Sequence, residues 1–197
     1  MAGGRQREFD KTDVLDKAMR VFWKKGYSGA SLTDLTSGMG INKPSLYSAF
    51  GNKEQLFIQA TAHYLSHYAQ PHAKHLTGNA PVKEQLSRYL HSIITAQCAP
   101  NNPKGCYVSV CVSEAETEDL PPAAAALVEE VNHFSERGLV TFFMHAVKQG
   151  DLPSHINITT LARYFTAFLH GTAALARGGR NANELTDLIS PTLRVLD

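Results

Sequence analysis

Three groupings of side chains in this chain have types and spacings that can do chemistry. The first is Lys104-Gly105-Cys106, where the pattern predicts a short helix starting near Gly105 or Cys106. A thiol at a helix N-terminus beside a lysine has its thiolate stabilised by the dipole and the positive charge, which is how a redox or electrophile sensor is built. The plain alternative is a small residue packing a helix junction. Cys111 lies five residues on, on a different face of a regular helix. With Cys98 the cysteines number three, an odd count with no CxxC pair, so a disulfide framework or a zinc knuckle is not indicated. The second grouping is histidine: His63 and His67 at i, i+4, with His72 and His75 beyond and His170 elsewhere. That spacing suits a transition metal, but no Asp, Glu or Cys stands at matched spacing, so surface histidines are the simpler reading and no metal or cofactor is implied. The third is the acidic run Glu114, Glu116, Glu118 and Asp119, read as a solvated segment rather than a catalytic pair. No phosphate-binding Gly loop, nucleophile elbow or HExxH pattern accompanies it, which argues against an enzyme.

A fourth grouping suits nucleic acid. Asn42, Lys43, Pro44 and Ser45 open a short helix whose outer side continues with Tyr47 and Ser48. Small polar and basic groups at a helix front, with backbone N–H groups and the dipole, favour phosphate and fit a major groove. Charge agrees: residues 1–55 hold nine Lys/Arg against six Asp/Glu, the remainder ten against twelve. A basic front on a slightly acidic body places a nucleic-acid contact at one end only.

The elements that must position these groups are helical almost throughout. Asp10 caps a first helix to about Lys25, with an apolar stripe of Val14, Leu15, Ala18, Val21 and Phe22, stopped by Gly26. Ser31 and Asp34 form a capping box for a second helix with Leu32 and Leu35 inward, ended around Gly38 and Gly40. Asn42 caps a third, with Pro44 in its first turn and Leu46 and Phe50 inside. Asn52 caps a fourth carrying Leu56, Phe57, Ala60 and Tyr64. Further helices are expected over about Val82–Cys98, then one long helix from Pro121 and Pro122 to Gly150, then Thr159–Arg177. A last one covers Ala182–Val195, with Pro191 expected to kink or shorten it. No strand pattern, repeat or membrane-length apolar run occurs, and nothing at the N-terminus reads as a signal peptide, so the cytoplasm is the expected compartment.

Two short helices joined by a Gly-containing turn make a helix-turn-helix. The order Gly-Tyr, Ser-Leu-x-Asp-Leu, Gly-Ile-Asn-Lys-Pro-Ser-Leu-Tyr-x-x-Phe and Asn-Lys-Glu-x-Leu-Phe within residues 26–57 resembles the DNA-binding signature of the TetR family. The resemblance runs from about Phe9 to Phe57; the rest matches only in helical layout and in details such as Gly150-Asp151-Leu152. It implies an all-α protein with a three-helix DNA-binding domain at 1–55 and an effector-binding and dimerisation domain at 56–197. Its implied function is a transcriptional repressor, released from a palindromic operator by a small molecule or electrophile. An activator of the same fold, or a helical ligand-binding protein without DNA binding, are the alternatives; the intact Lys43–Tyr47 front argues against the latter.

The resemblance also implies roles. Ser31 and Thr33 lie at a phosphate edge, and Lys43, Pro44, Ser45, Tyr47 and Ser48 form the recognition face. Tyr47 and Lys53 contact phosphates, and Arg5 and Arg7 belong to an arm (Gly4-Arg5-Gln6-Arg7) reaching toward the minor groove, with Gln6 where some members have Pro. Partners are double-stranded operator DNA and a second copy of the chain, since one small reading head binds weakly and a two-fold dimer matches a palindrome. The dimer is expected to form through Phe165, Phe168, Gly171, Thr172, Leu175, Leu185, Leu188, Ile189 and Leu193. The effector is expected in a cavity lined by Tyr64, Tyr68, Tyr89, Ile93, Cys106, Tyr107, Phe134, Phe142 and Phe168.

Overall fold

A computed structural model describes residues 9–114 and 120–197, and among them every regular element is a helix. Helix α1 (Lys11–Lys25) starts where the Asp10 carboxylate accepts the N–H groups of Thr12 and Asp13, and stops at Gly26. Helix α2 (Leu32–Met39) opens on the Ser31–Asp34 capping box and ends at Gly40 in the left-handed conformation, φ 70°. Helix α3 (Lys43–Phe50) is capped by Asn42, and α4 (Lys53–Tyr64) by an Asn52–Gln55 box. Each cap satisfies N–H groups that a helix start leaves unpaired.

Helix α4 does not stop cleanly. It runs into a π-helical turn, Leu65–Ala69, then a 3-10 stretch, Gln70–Leu76, around Pro71. Widened turns of this kind interrupt helices where side chains are re-aimed. Then come α5 (Val82–Gln97) and α6 (Tyr107–Val112). The single long helix expected from Pro121 to Gly150 is two helices, α7 (Pro122–Asn132) and α8 (Phe134–Gln149), meeting at His133. Asn132 and His133 are weak helix formers, and the Arg137 guanidinium donates to the Glu130 carbonyl at the break (3.1 Å). Helix α9 (Ile158–Arg177) is the longest. The expected last helix is likewise divided, into α10 (Ala182–Thr186) and α11 (Ile189–Leu193), followed by a 3-10 turn, Arg194–Leu196. Pro191 explains the division: its ring collides with the carbonyl four residues back, at Asp187, where the helix ends.

The buried apolar residues form two clusters. One joins α1–α4 with α6 and α7, through Phe22, Leu35, Leu46, Phe57, Tyr64, Tyr107 and Val128. The other joins α5, α8, α9 and the two C-terminal helices, through Leu86, Ile94, Phe143, Phe165 and Leu185. The first core therefore extends well beyond residue 55.

Residue 26 favours glycine because its φ is 72°; a Cβ there would also lie 2.2 Å from Glu114 Oε1 and push aside the carboxylate that accepts the Tyr27 N–H at 2.6 Å. At Gly40, by contrast, φ is 70° but the surrounding space is open. Gly26→Ala is expected to cost about 2–3 kcal/mol and Gly40→Ala about 1 kcal/mol. Thermal unfolding followed by circular dichroism separates them: Gly26→Ala lowers Tm clearly more than Gly40→Ala.

Candidate nucleic-acid interface and ligand cavity

The reading face is built from the inside outward. Leu46 and Phe50 are buried under α3, locking it onto the core with Leu35 and Met39 of α2. That registration turns the opposite side to solvent: Lys43, Pro44, Tyr47 and Ser48 are exposed, Tyr47 to 48%, and Ser45 is half-buried. The Ser45 N–H is held by the Asn42 side chain at 2.9 Å, which fixes the first turn. Ser31 and Thr33 are exposed at the start of α2. The Ser31 hydroxyl is engaged by Asp34 at 2.7 Å, and Asp34 also pairs with Lys25 at 2.6 Å. Lys53 is half-buried with its ammonium over the Tyr27 ring, 4.3 Å from the centroid. Arg5 and Arg7, and Glu116, Glu118 and Asp119 of the acidic run, lie outside the described residues. Glu114 does not float in solvent; it clamps the turn between α1 and α2.

A cavity of about 80 Å³ lies between α1, the π turn, α5, α6, α8 and α9. Six of the nine residues expected to line it do so: Tyr64, Tyr68, Tyr89, Ile93, Cys106 and Phe134. Three do not. Tyr107 is fully buried behind the wall, its hydroxyl 2.7 Å from Thr61 Oγ1. Phe142 packs on Phe143 in the second core, and Phe168 is half-buried on α9 against the same core. Trp23, His72, Gln97, Ser109, Thr166 and His170 line the cavity and were not foreseen. Trp23 carried a usable signal: it follows Phe22 on one helix, so it faces about 100° away from the stripe, toward a second surface.

The cysteine environment differs from the expected one. Cys106 is the N-cap residue of α6, but its side chain caps no N–H, and the Lys104 ammonium is turned away to the Cys98 carbonyl. The Cys106 thiol instead lies 3.6 Å from the Tyr64 hydroxyl, half-exposed at the cavity wall. Cys98 and Cys111 are buried, and burial pushes both thiols up. His63, expected at the surface, is buried, stacked on His67 with centroids 4.1 Å apart, and its Nε2 lies 3.2 Å from Asp16 Oδ1. Among the described residues no three His, Cys, Asp or Glu side chains gather as a metal site.

Of the residues expected at a dimer interface, Phe165, Thr172, Leu185 and Ile189 are buried within the chain itself and complete its core. Gly171, Leu175 and Leu188 are exposed, and Phe168 and Leu193 half-buried. Tyr164, which was not foreseen, is 44% exposed and falls with Phe168, Gly171 and Leu175 on one stripe of α9. No helix among the described residues is long and apolar enough to cross a membrane.

Comparison with known proteins agrees with this geometry. The family model described as "Bacterial regulatory proteins, tetR family" matches residues 14–60. The transcriptional repressor ComR of Escherichia coli (strain K12) is 30% identical over 98% of this chain and 91% of its own length. The transcriptional regulator YezE of Bacillus subtilis (strain 168) is 31% identical over 98% of this chain and all of its own. Among solved structures, a cysteine mutant of the TetR family regulator CifR, complexed with 26 bp double-strand operator DNA, superposes with a TM-score of 0.91. It is 30% identical, covering 98% of this chain and 100% of that one.

Beside the cavity, Asp16 ties α1 to the π turn. It accepts from the Tyr68 hydroxyl at 2.6 Å and from Arg20 Nε at 2.7 Å, with His63 Nε2 at 3.2 Å. Burial raises its pKa, but the Tyr68, Arg20 and His63 interactions outweigh that and hold it below the usual 3.8. A carboxyl depressed by folding stabilises the protein above its unfolded pKa, and that contribution disappears as pH falls through the lower folded value. Asp16→Asn should therefore have a lower Tm than wild type at neutral pH, with the gap closing as pH falls below about 4; a gap constant with pH would contradict the assignment.

Proposed function

The chain belongs to the TetR family of bacterial transcriptional regulators, and from that premise we propose that it is a cytoplasmic repressor that binds a palindromic operator as a homodimer and is released by a small molecule or electrophile entering the cavity. Residues 1–55 act as the reading domain and 56–197 as the effector and dimerisation domain. The observation that carries the switch is Trp23: the last turn of α1 supplies both the core of the reading head and a wall of the cavity.

In this reading α3 enters the major groove, with Lys43, Pro44, Ser45, Tyr47 and Ser48 facing the duplex. Ser31, Thr33 and Lys53 lie toward the phosphates, and the Arg5–Arg7 arm extends toward the minor groove. Phosphate contacts set affinity and salt dependence, and base-edge contacts set sequence. The exposed stripe of α9, with Leu188 and Leu193, supplies the two-fold contact that spaces the heads.

Cys106 favours an electrophile among possible effectors, because its sulfur is reachable from the cavity while Cys98 and Cys111 are buried. Alkylation there adds volume between Tyr64 and α6. The same α6 segment holds Tyr107 against Thr61 and leads to Glu114, which clamps Tyr27. A displaced α6 thus loosens the turn that orients the reading head, and the heads no longer match two half-sites.

The test is binding to the DNA flanking the protein's own gene, with and without N-ethylmaleimide. Wild type should bind specifically and be released by the reagent; Cys106→Ser should bind and stay bound. Release of both alike would overturn the thiol route. Lys43→Ala should weaken binding across sequences and lower the salt slope by about 1.

Leu175→Arg tests the dimer. Sedimentation should show a monomer, and operator affinity should fall on the order of a hundredfold because avidity is lost. A dimer of unchanged mass would place the interface elsewhere.

A further inference from the structure

The cavity's apolar walls leave something unexplained. Four buried side-chain polar atoms among the described residues have no hydrogen-bond partner: Trp23 Nε1, Gln97 Oε1, Ser109 Oγ and Thr166 Oγ1. All four residues line this one cavity, though they come from α1, α5, α6 and α9. Trp23 and Gln97 are themselves 3% and 4% exposed. Buried polar groups left unpaired cost about 1–3 kcal/mol each, so native structures rarely collect them in one place without use.

Each atom specifies what it lacks. The Trp23 indole N–H only donates and needs an acceptor. Gln97 already donates from Nε2 to the Leu169 carbonyl at 3.1 Å, so its Oε1 needs a donor. The two hydroxyls can do either. A ligand hydroxyl meets three of the four: its oxygen accepts from the Trp23 indole N–H and from one of the two hydroxyls, while its proton is donated to Gln97 Oε1. An ether, an ester or a ketone has no proton to donate to Gln97.

Charge is excluded by the same walls. Among the described residues no Asp, Glu, Lys or Arg lines the cavity. Burial, then the neighbouring His75 and Lys74, lower the pKa of His72, and burial lowers that of His170, so both histidines are shifted toward the neutral form. A carboxylate or an ammonium would be buried without a counter-charge. At about 80 Å³ the cavity is small, so it takes only a compact ligand. The faces offered to it are those of Tyr64, Tyr68, Tyr89 and Phe134, which favour a flat ring.

We propose that this cavity binds a compact, uncharged, hydroxylated ring compound of the phenol class, its oxygen accepting from the Trp23 indole N–H and its hydroxyl donating to Gln97 Oε1. The proposal rests on the reading of this cavity as the effector site and adds the ligand's chemistry. It also gives the ligand a direct hold on α1.

Trp23 is the only tryptophan of the chain, so its fluorescence reports on the site. The full-length protein is titrated with phenol, toluene and benzoate, exciting to the red of their absorption, with calorimetry for stoichiometry. Phenol should bind saturably, one per protomer. Toluene, which replaces the hydroxyl by methyl, should bind at least about tenfold more weakly, and benzoate not measurably. Thr166→Val or Ser109→Ala, whichever hydroxyl donates to the second lone pair of the ligand oxygen, should weaken phenol about threefold or more without weakening toluene. Neither should lower Tm, since the hydroxyl removed had no partner. Equal affinity for phenol and toluene, binding of benzoate as tight as phenol, absence of saturable phenol binding, or variants that weaken both neutral ligands alike would each overturn the proposal. Operator binding measured on the same preparations separates the two readings. Intact operator binding with no phenol preference sinks only the ligand class; phenol binding with no operator binding sinks only the regulator.

Discussion

Phe22 and Trp23 are successive residues on α1, both buried, and they face different halves of the molecule. Phe22 packs edge-on to Phe57 of α4, 5.2 Å between centroids, and stacks near Tyr27 in the reading head. Trp23 meets Tyr64 and Tyr68 edge-on at 5.1 and 5.9 Å and closes the cavity. The helix is held from both sides by fixed hydrogen bonds as well. Asp16 and Arg20 engage Tyr68, Arg20 reaches the Asn101 carbonyl, and Arg177 donates to the Trp23 carbonyl. A rigid element with two buried faces cannot move at one without moving at the other. The rest of the architecture, reading head above and helical body below, is arranged around that constraint.

Helix α4 joins the two parts and offers one route of communication. The structure has α4 in that position but places two further connections in parallel. One is α1 itself. The other is the segment from Cys106 to Glu114, which begins at the cavity wall and ends in the hydrogen bond to the Tyr27 N–H. Three connections that share a core explain why no boundary in packing falls at residue 55. They also mean that coupling need not follow one chain of contacts.

What was legible in the sequence was whatever is specified locally. The caps at Asp10, Ser31, Asn42 and Asn52 are each decided by residues within three positions, and all four hold in the structure. The inward pair Leu46 and Phe50 follows from helical spacing, and so does the exposed row opposite it. The break at His133 was not legible, because the apolar stripe continues across it through Val131, Leu139 and Phe142 and only two weak helix formers mark it. The division after Thr186 was half legible, since Pro191 announces a fault but not where the chain ends its helix. Apart from Trp23, the aromatic cavity residues were found, with Ile93 and Cys106, and most of the polar ones were missed. An aromatic stripe signals burial, whereas Gln97, Ser109 and Thr166 resemble surface residues until five helices are assembled around them. Phe165, Leu185 and Ile189 are buried within the chain itself, which the sequence does not announce, because an apolar residue on a helix cannot declare whether its own chain or a second copy will cover it.

The energetics of the proposed switch follow from where the unsatisfied groups sit. A ligand shifts an equilibrium only by the difference between its affinities for the two states. If α1 moves when the reading heads leave the operator, a ligand bonded to Trp23 senses that movement at full strength, whereas a ligand touching only α5 or α9 would not. Linkage then works in both directions, and operator DNA must lower ligand affinity by the factor through which ligand lowers DNA affinity. Couplings of this type are typically about 1–3 kcal/mol. That is the scale of one buried hydrogen bond gained or lost, so a single bond to the Trp23 indole is sufficient to link the two sites.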